Sequence, residues 1–178
     1  MIPESVLSGG VRLYRAKKFP TEWTFVRNLI EGTHFADATA LHFEGRWWLF
    51  VETSPANFDT LRLFSSPDLL GSWVEHPSSP LIQGDNRRAR PAGRLLRYQS
   101  RLHRFAQDCH PNYGTHVRAF EITELSPRHY HEKEIDESPI LGARRVGWNS
   151  DGMHHIDAQP VEGQRWMAAV DGWCWLKD

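Results

Sequence analysis

A unit of about fifty residues recurs along this chain, and each copy joins an apolar strand, a turn marked by proline, and an aromatic residue that opens a short strand. The copies are Leu13–Trp23, Leu63–Trp73 and Ala119–Tyr130. A second pattern of strand, turn and strand recurs at Asp37–Phe50, Arg90–Ala106 and His154–Val170. A period of ~40–50 residues with four short strands per unit is typical of β-propeller blades.

The repeat predicts an all-β fold of the β-propeller type that forms a partial ring. The units are the tail of one blade, two whole blades and most of another, at residues 1–32, 33–83, 84–141 and 142–178. About three to four blades are therefore present, whereas propellers close with ~4–8. No low-complexity linker divides the chain, so we expect a single propeller domain over residues 1–178 that is incomplete at its N-terminal side.

The first strand of each blade lines the central channel of a propeller, and we predict these strands near residues 35–42, 89–96 and 154–160. They carry Asp37, Arg90 and the run His154–Asp157. An unpaired charge is costly to bury. Charges at matching positions of successive units therefore predict a shared polar channel where Asp37, Arg90 and at least one residue of the run converge.

His155 and Asp157 can face the same side of a strand because they are two residues apart, whereas the adjacent His154 and His155 cannot. A histidine–carboxylate pair can orient a substrate, bind a metal or tune a proton, and it can equally be a structural hydrogen-bonded pair. Further ligands at a recognisable spacing are missing from the sequence, so we expect no zinc site. The sequence identifies no cofactor.

Three other features complete the candidate site. Asp37 is either a catalytic carboxylate or a channel-lining group, and Arg90 can clamp an anion through its forked guanidinium. Asp108 is either a ligand-binding residue or a cap of the loop that follows it. Glycoside hydrolysis would need two carboxylates ~5–9.5 Å apart, for which Asp37 and Asp157 are candidates by position.

Composition excludes several classes of function. The formal net charge is −1 and the pI is about 6.8, so the chain lacks the basic balance of a nucleic-acid-binding protein. It has neither an apolar run of membrane-spanning length nor a secretion signal, and we expect a cytoplasmic location. Its two cysteines, Cys109 and Cys174, follow no metal-binding or disulfide pattern.

Short motifs along nearly the whole chain resemble the N-terminal domain of the plant glucosamine inositolphosphorylceramide transferases and their bacterial relatives. They are Ile2–Ser5, Val11–Ala16, Phe19–Trp23, Asp37–Thr39, Gly45–Phe50, Trp73–Pro77, Ala92–Arg94, Gln107–Cys109, Tyr113–Gly114 and Met153–Asp157. That domain is similar to the five-bladed propellers of glycoside hydrolase family 43. In the plant proteins a separate glycosyltransferase domain follows it. The resemblance does not extend to that domain, so it implies no transferase activity.

Family 43 hydrolases use a base Asp, a modulating Asp and an acid Glu on different blades, with a His on the fifth blade near a central ion or water. By this resemblance Asp37 matches the modulating Asp, and His154 or His155 matches the fifth-blade His. Arg90–Ala92 occupies the region of the acid Glu and contains no Glu. We expect the first blade, which would carry the base, to be missing.

Three functions follow from these expectations. The first is a propeller that recognises a carbohydrate or a sugar phosphate and is associated with glycolipid synthesis. The second is a glycan-active enzyme with altered catalytic residues, and the third is a fragment without activity. A partial ring would also expose apolar surface at its two flanks, near Met1–Trp23 and Trp166–Trp175, and we expect the chain to self-associate there.

Overall fold

The computed structural model describes residues 1–4, 6–32, 34–144, 146–162 and 165–175. Those residues form β-strands, turns and irregular segments without a helix, which confirms the predicted all-β class. In the described part of the chain, accordingly, no helix is long and apolar enough to cross a membrane. The strands are β1 (Gly10–Lys18), β2 (Glu22–Glu31), β3 (Ala36–Phe43), β4 (Arg46–Glu52), β5 (Leu61–Ser66), β6 (Val74–Glu75), β7 (Leu96–Tyr98), β8 (Arg101–Asp108), β9 (His116–Leu125), β10 (Tyr130–Glu134), β11 (Leu141–Gly142), β12 (Ile156–Val161) and β13 (Arg165–Val170).

The strands form four antiparallel sheets that follow one another along the chain. Strands β1 and β2 form a hairpin, and β3, β4, β5 and β6 form a meander in sequence order. A second meander contains β7, β8, β9 and β10, with the short β11 also paired to β9. Strands β12 and β13 form the last hairpin. Each sheet falls within one of the units that the repeat predicts, except that β11 of the second meander extends one residue past the boundary at 141.

Strand β4 shows how successive sheets are joined. Its side chains alternate between the two faces of the sheet, as they do in any strand. Leu49 and Val51 pack with Val11 and Ile30 of the first hairpin. Trp48 and Phe50 point the other way, into a cluster shared with the second meander. Both faces of β4 are therefore buried, and the run from Trp48 to Val51 is apolar throughout.

The second meander continues the series towards the last hairpin. Phe105, Val117 and Ala119 form a third cluster, against which Ile156 at the start of β12 packs. The backbone N–H of Ile156 also donates to the carbonyl of Ala92 at 2.9 Å. Apolar clusters thus connect the four sheets in chain order, as successive propeller blades would be connected.

Two of the three predicted inner strands are present as β3 and β12, but the prediction over residues 89–96 is wrong in extent. That segment makes an isolated bridge at Pro91, and regular pairing begins only at Leu96. Pro91 has no N–H to donate, and Gly93 has φ +123°, a conformation that interrupts a strand. A Cβ at Gly93 would lie 2.0 Å from the carbonyl oxygen of Ile156, so glycine permits the close approach of β12.

The end hairpins carry large apolar side chains that no described residue covers fully. Phe19 and Phe25 are exposed in the first hairpin, and Trp166 and Met167 are exposed in the last. The sheets do not close on one another through these hairpins, because each pairs only within itself among the described residues. Self-association through these surfaces stays a prediction.

Candidate functional site

Asp37 lies on a bulge near the start of β3. Ala36 pairs with Glu52 and Thr39 with Phe50, so two residues of β3 oppose one residue of β4. Asp37 has φ +48°, which costs a residue with a Cβ roughly 1–3 kcal/mol. Its backbone N–H donates to Oε2 of Glu4 at 2.6 Å. Bulges re-aim side chains, and this one directs Asp37 towards the segment before β7.

Arg90 and Gln107 both bind the carboxylate that the bulge presents. Arg90 Nε donates to Asp37 Oδ2, and Gln107 Nε2 donates to the same oxygen at 2.9 Å and to the carbonyl of Pro91 at 2.9 Å. The side chain of Arg90 is 11% exposed and that of Asp37 is 25% exposed. Among the described residues, Asp37 Oδ1 and the terminal nitrogens of Arg90 have no hydrogen-bond partner. The Asp37–Arg90 pair therefore retains one unused acceptor oxygen, on Asp37, and unused donor nitrogens, on Arg90.

Two aromatic rings support the guanidinium of Arg90. Its Cζ lies 5.2 Å from the ring centre of Phe58 and 5.1 Å from that of Tyr113, and the two rings touch each other. Burial by itself lowers the pKa of Arg90, but the charge of Asp37 and its hydrogen bond outweigh burial and raise it. Arg90 is therefore a permanent cation, held from one side by Asp37 and from another by rings with a negative face.

His154 joins this cluster through Tyr113. The two rings meet edge to face with their centres 5.0 Å apart. His154 Nδ1 lies 3.0 Å from Asp171 Oδ1 without forming a hydrogen bond, and the same oxygen accepts the backbone N–H of His154 at 3.2 Å. The structure therefore places Asp37, Arg90 and His154 in one continuous set of contacts, although His154 does not touch the carboxylate.

A buried acid lies behind the site. Glu52 ends β4 and is fully buried; its Oε1 accepts the N–H of Ser54, and its Oε2 has no partner among the described residues. Burial raises the pKa of Glu52 to about 7, even though the Ser54 hydrogen bond and the charge of Arg90 both lower it. Glu52 is therefore a group beside Arg90 that titrates near neutral pH.

The other predicted residues lie in different contacts. Asp157 accepts three hydrogen bonds from Arg94, at 2.8–3.0 Å, in an exposed pair. Asp108 binds Arg118 at 2.7 Å, and its second oxygen accepts the N–H of His110 at 3.0 Å. The ring of His155 lies over Gly93. Within the described ranges, none of these three side chains bonds to Asp37 or Arg90.

Sequence reasoning missed four members of the cluster: Phe58, Gln107, Tyr113 and Glu52. Gln107 is next to the predicted Asp108, and neighbours in a strand face opposite sides, so Gln107 contacts Asp37 while Asp108 contacts Arg118. Tyr113 lies in the loop between β8 and β9, where strand alternation does not indicate the direction of a side chain. In the described part of the chain, no three His, Cys, Asp or Glu side chains are grouped as metal ligands would be.

Sequence comparisons agree with the resemblance that the motifs indicate. The family described as glucosamine inositolphosphorylceramide transferase 1, N-terminal, matches residues 1–173. The chain is 35% identical over 180 residues to glucosamine inositolphosphorylceramide transferase 1 of Oryza sativa subsp. japonica, covering 97% of this chain and 24% of that protein. It is 34% identical over 181 residues to the protein of the same name from Arabidopsis thaliana, covering 97% and 23%. The chain thus spans about a quarter of the length of these curated relatives.

Solved structures add a likeness of fold. A family 117 glycoside hydrolase from the marine bacterium Zobellia galactanivorans superposes with a TM-score of 0.58 at 13% identity, covering 90% of this chain and 52% of that chain. A thermostable family-43 glycoside hydrolase gives a TM-score of 0.48 at 13% identity, covering 75% and 40%. At this level of identity the first likeness concerns architecture alone. By the extent of the sequence match, the chain belongs to the family of glucosamine inositolphosphorylceramide transferase 1 N-terminal domains.

Proposed function

We propose that this chain recognises a carbohydrate or a sugar phosphate in glycolipid synthesis, with the ligand bound at Asp37 and Arg90. The proposal rests on the ion pair between Arg90 and Asp37, which leaves hydrogen-bonding groups of both residues unused. Arg90 is buried and fixed by Asp37 and two aromatic rings, yet its terminal nitrogens have no acceptor among the described residues. A buried guanidinium with unused donors is a ready partner for an anion or a hydroxyl group.

The groups at this site suit a sugar. Asp37 Oδ1 can accept a hydroxyl proton, while the terminal nitrogens of Arg90 can donate to a hydroxyl or in forked fashion to a phosphate. Tyr113 and Phe58 offer ring edges and faces against which the apolar side of a pyranose can pack. A few fixed polar groups beside apolar walls are typical of sites for small ligands.

A glycan-active enzyme is the second candidate, favoured by the two carboxylates on inner strands. Glycoside hydrolysis requires one carboxyl group that donates a proton to the leaving oxygen. Asp37 and Asp157 each accept hydrogen bonds from a different arginine, so both are held as acceptors. Glu52 has the raised pKa of an acid, but it is fully buried behind Arg90. The geometry therefore favours recognition over catalysis.

Isothermal titration with glucose 1-phosphate and with methyl glucoside tests the proposal. Arg90→Ala should weaken binding by about tenfold or more, since it removes a charge-assisted contact. Arg94→Ala is the matched control, because it removes an arginine that is paired with an exposed carboxylate elsewhere, and it should bind as the parent does.

Two results would overturn this assignment. If neither ligand binds the parent chain, the inactive-fragment hypothesis is favoured. If the chain cleaves nitrophenyl glycosides and Asp37→Asn abolishes that cleavage, the enzyme hypothesis replaces recognition.

The assembly around the site is part of the same proposal. We infer a five-bladed ring in which the exposed hairpins β1–β2 and β12–β13 contact further protein, in a cytoplasmic setting. The exposed Phe19 and Met167 support such contacts, because uncovered apolar surface favours association. Light scattering should show concentration-dependent association of the 178-residue chain. A monomer at all concentrations would contradict it.

A further inference from the structure

We propose that Glu52 couples ligand binding at Arg90 to a proton: an anionic ligand binds at Arg90 together with proton uptake by Glu52. The inference rests on the proposed ligand site at Arg90 and adds a chemical preference to it. Glu52 does not touch the ligand in this scheme. It is a positioning residue that acts through charge and through the loop it anchors.

The position of Glu52 connects it to both halves of the site. It pairs in register with Ala36, the residue before Asp37. Its Oε1 accepts the N–H of Ser54, and Ser54 in turn accepts the backbone N–H of Phe58 at 2.8 Å. Phe58 contacts Arg90. The Glu52 carboxyl group therefore anchors the loop that carries Phe58. Its Oε2 is buried and has no partner among the described residues.

The charges around Glu52 explain why its protonation matters. The charge of Arg90, in the segment before β7, lowers the pKa of Glu52, whereas the charge of Asp59, in the loop after β4, raises it. Asp37 on β3 is paired with Arg90. With Glu52 ionised, one guanidinium serves two carboxylates, and an incoming anion is repelled by the excess negative charge. With Glu52 neutral, Arg90 is balanced by Asp37 alone. Such repulsion is strong between groups that are buried, as the side chains of Glu52 and Arg90 are.

Protonation of Glu52 is accessible under ordinary conditions. Burial raises the pKa of Glu52 to about 7, and the charge of Asp59 adds to the rise, while the backbone of Ser54, the charge of Arg90 and the backbone of Thr60 oppose it. Tyr113 and Cys109 also lie beside Arg90; burial raises the pKa of both, so they stay neutral in this range. His154 contacts Tyr113 and is the remaining group that a control must address.

The thermodynamic linkage between anion binding and protonation of Glu52 fixes the direction in which affinity changes with pH. A bound anion stabilises the neutral form of Glu52 and therefore raises its pKa further, so binding takes up a proton. Affinity for an anion is then highest below the pKa of the free protein and falls as pH rises through it, by at most about tenfold per pH unit for a single proton. A neutral sugar should show a much smaller dependence.

Sulfate is the probe of choice, because its charge is constant across this range. Titration of the parent chain should show affinity falling several-fold between about pH 6 and about pH 8, with proton uptake measured from the difference between two buffers of unlike ionisation heat. Glu52→Gln keeps the shape and removes the charge, so its affinity should be high and independent of pH. His154→Gln is the control and should keep the dependence of the parent.

The outcomes separate this inference from the proposed function. If sulfate binds through Arg90 but the parent takes up no proton, Glu52 has no such role and the function stands. The parent measurement decides this even where Glu52→Gln does not fold. If methyl glucoside binds and sulfate does not, the inference fails alone. If neither binds, both are wrong.

Discussion

Arg90 and Arg104 are both buried arginines paired with a carboxylate and packed on an aromatic ring, yet they differ in what they leave for a ligand. Arg104 binds Glu132 through two nitrogens at 2.7 Å each, and the side chains are 1% and 8% exposed. Its Cζ lies 4.8 Å from the ring centre of Phe120. Arg90 binds Asp37 through Nε only, beside a carboxylate that is a quarter exposed.

The Arg104 network is closed by a third member. Tyr130 donates its hydroxyl proton to Glu132 at 2.5 Å. Burial alone raises the pKa of Glu132, but the charge and hydrogen bonds of Arg104, with that of Tyr130, outweigh it and hold the pKa below its usual value. Burial and the negative charge of Glu132 together raise the pKa of Tyr130. Only Nη1 of Arg104 lacks a partner among the described residues, and no solvent reaches it.

Burial and charge therefore do not by themselves define a ligand-binding site. A forked arginine–carboxylate pair with all its oxygens occupied holds two strands of a sheet together. A single-point pair with unused donors and an open face can bind something else. Substitutions in both pairs and around them test how far that difference extends.

Breaking the closed network should cost the most stability. Glu132→Gln leaves Arg104 buried with no counter-charge, and we expect the free energy of unfolding to fall by about 3–5 kcal/mol. Asp37→Asn should cost less than half as much, because water can reach that site. Urea denaturation of both variants gives the values. Equal losses in the free energy of unfolding would mean that the two ion pairs contribute equally to stability.

The pH dependence of stability should separate Glu52 from Glu132. The pKa of Glu52 is raised from 4.5 to about 7, so the folded chain binds the extra proton and stability falls as pH rises through that window. The pKa of Glu132 is lowered, so its contribution is present above the usual value and is lost as pH falls below it. Urea titrations at several pH values should show the decline flattened in Glu52→Gln. An unchanged slope in that variant would contradict the prediction.

Removing an aromatic support should have a moderate effect. Tyr113→Leu deletes a ring 5.1 Å from Arg90 and should cost about 0.5–1 kcal/mol of stability, with a similar loss in ligand affinity. Tyr113→Phe keeps the ring and is the matched control, measured in the same thermal and binding assays. If the two variants behave alike, the cation–ring contact contributes nothing measurable.

The exposed pair at Asp157 should matter least. Arg94 is 61% exposed, and surface ion pairs typically contribute less than about 1 kcal/mol. Arg94→Ala should therefore change the midpoint of urea unfolding only slightly, and moderate salt should abolish the difference. A large loss of stability or of ligand binding would show that Asp157 belongs to the site after all.

Much of the architecture was predictable from the sequence because the repeat is local. Alternating apolar residues, proline turns and aromatic strand starts recur in each unit, and each signal depends on neighbours a few residues away. They placed β3 and β12 correctly. The strand expected over 89–96 failed at Pro91 and Gly93, where the backbone either lacks a donor or adopts a positive φ to let β12 pass.

Sequence pattern alone determined the all-β class and the order of the four sheets. It also singled out Asp37 and Arg90 through their matching places in the repeat, and the structure pairs these two residues. Tertiary structure alone decided the rest of the site. Alternation tells which residues share a face, but not which face turns inward, and the bulge at Asp37 resets that alternation within one strand. Gln107 rather than Asp108 contacts Asp37, and this contact joins strands that are distant along the chain. The raised pKa of Glu52 likewise results from burial, which depends on the packing of distant segments.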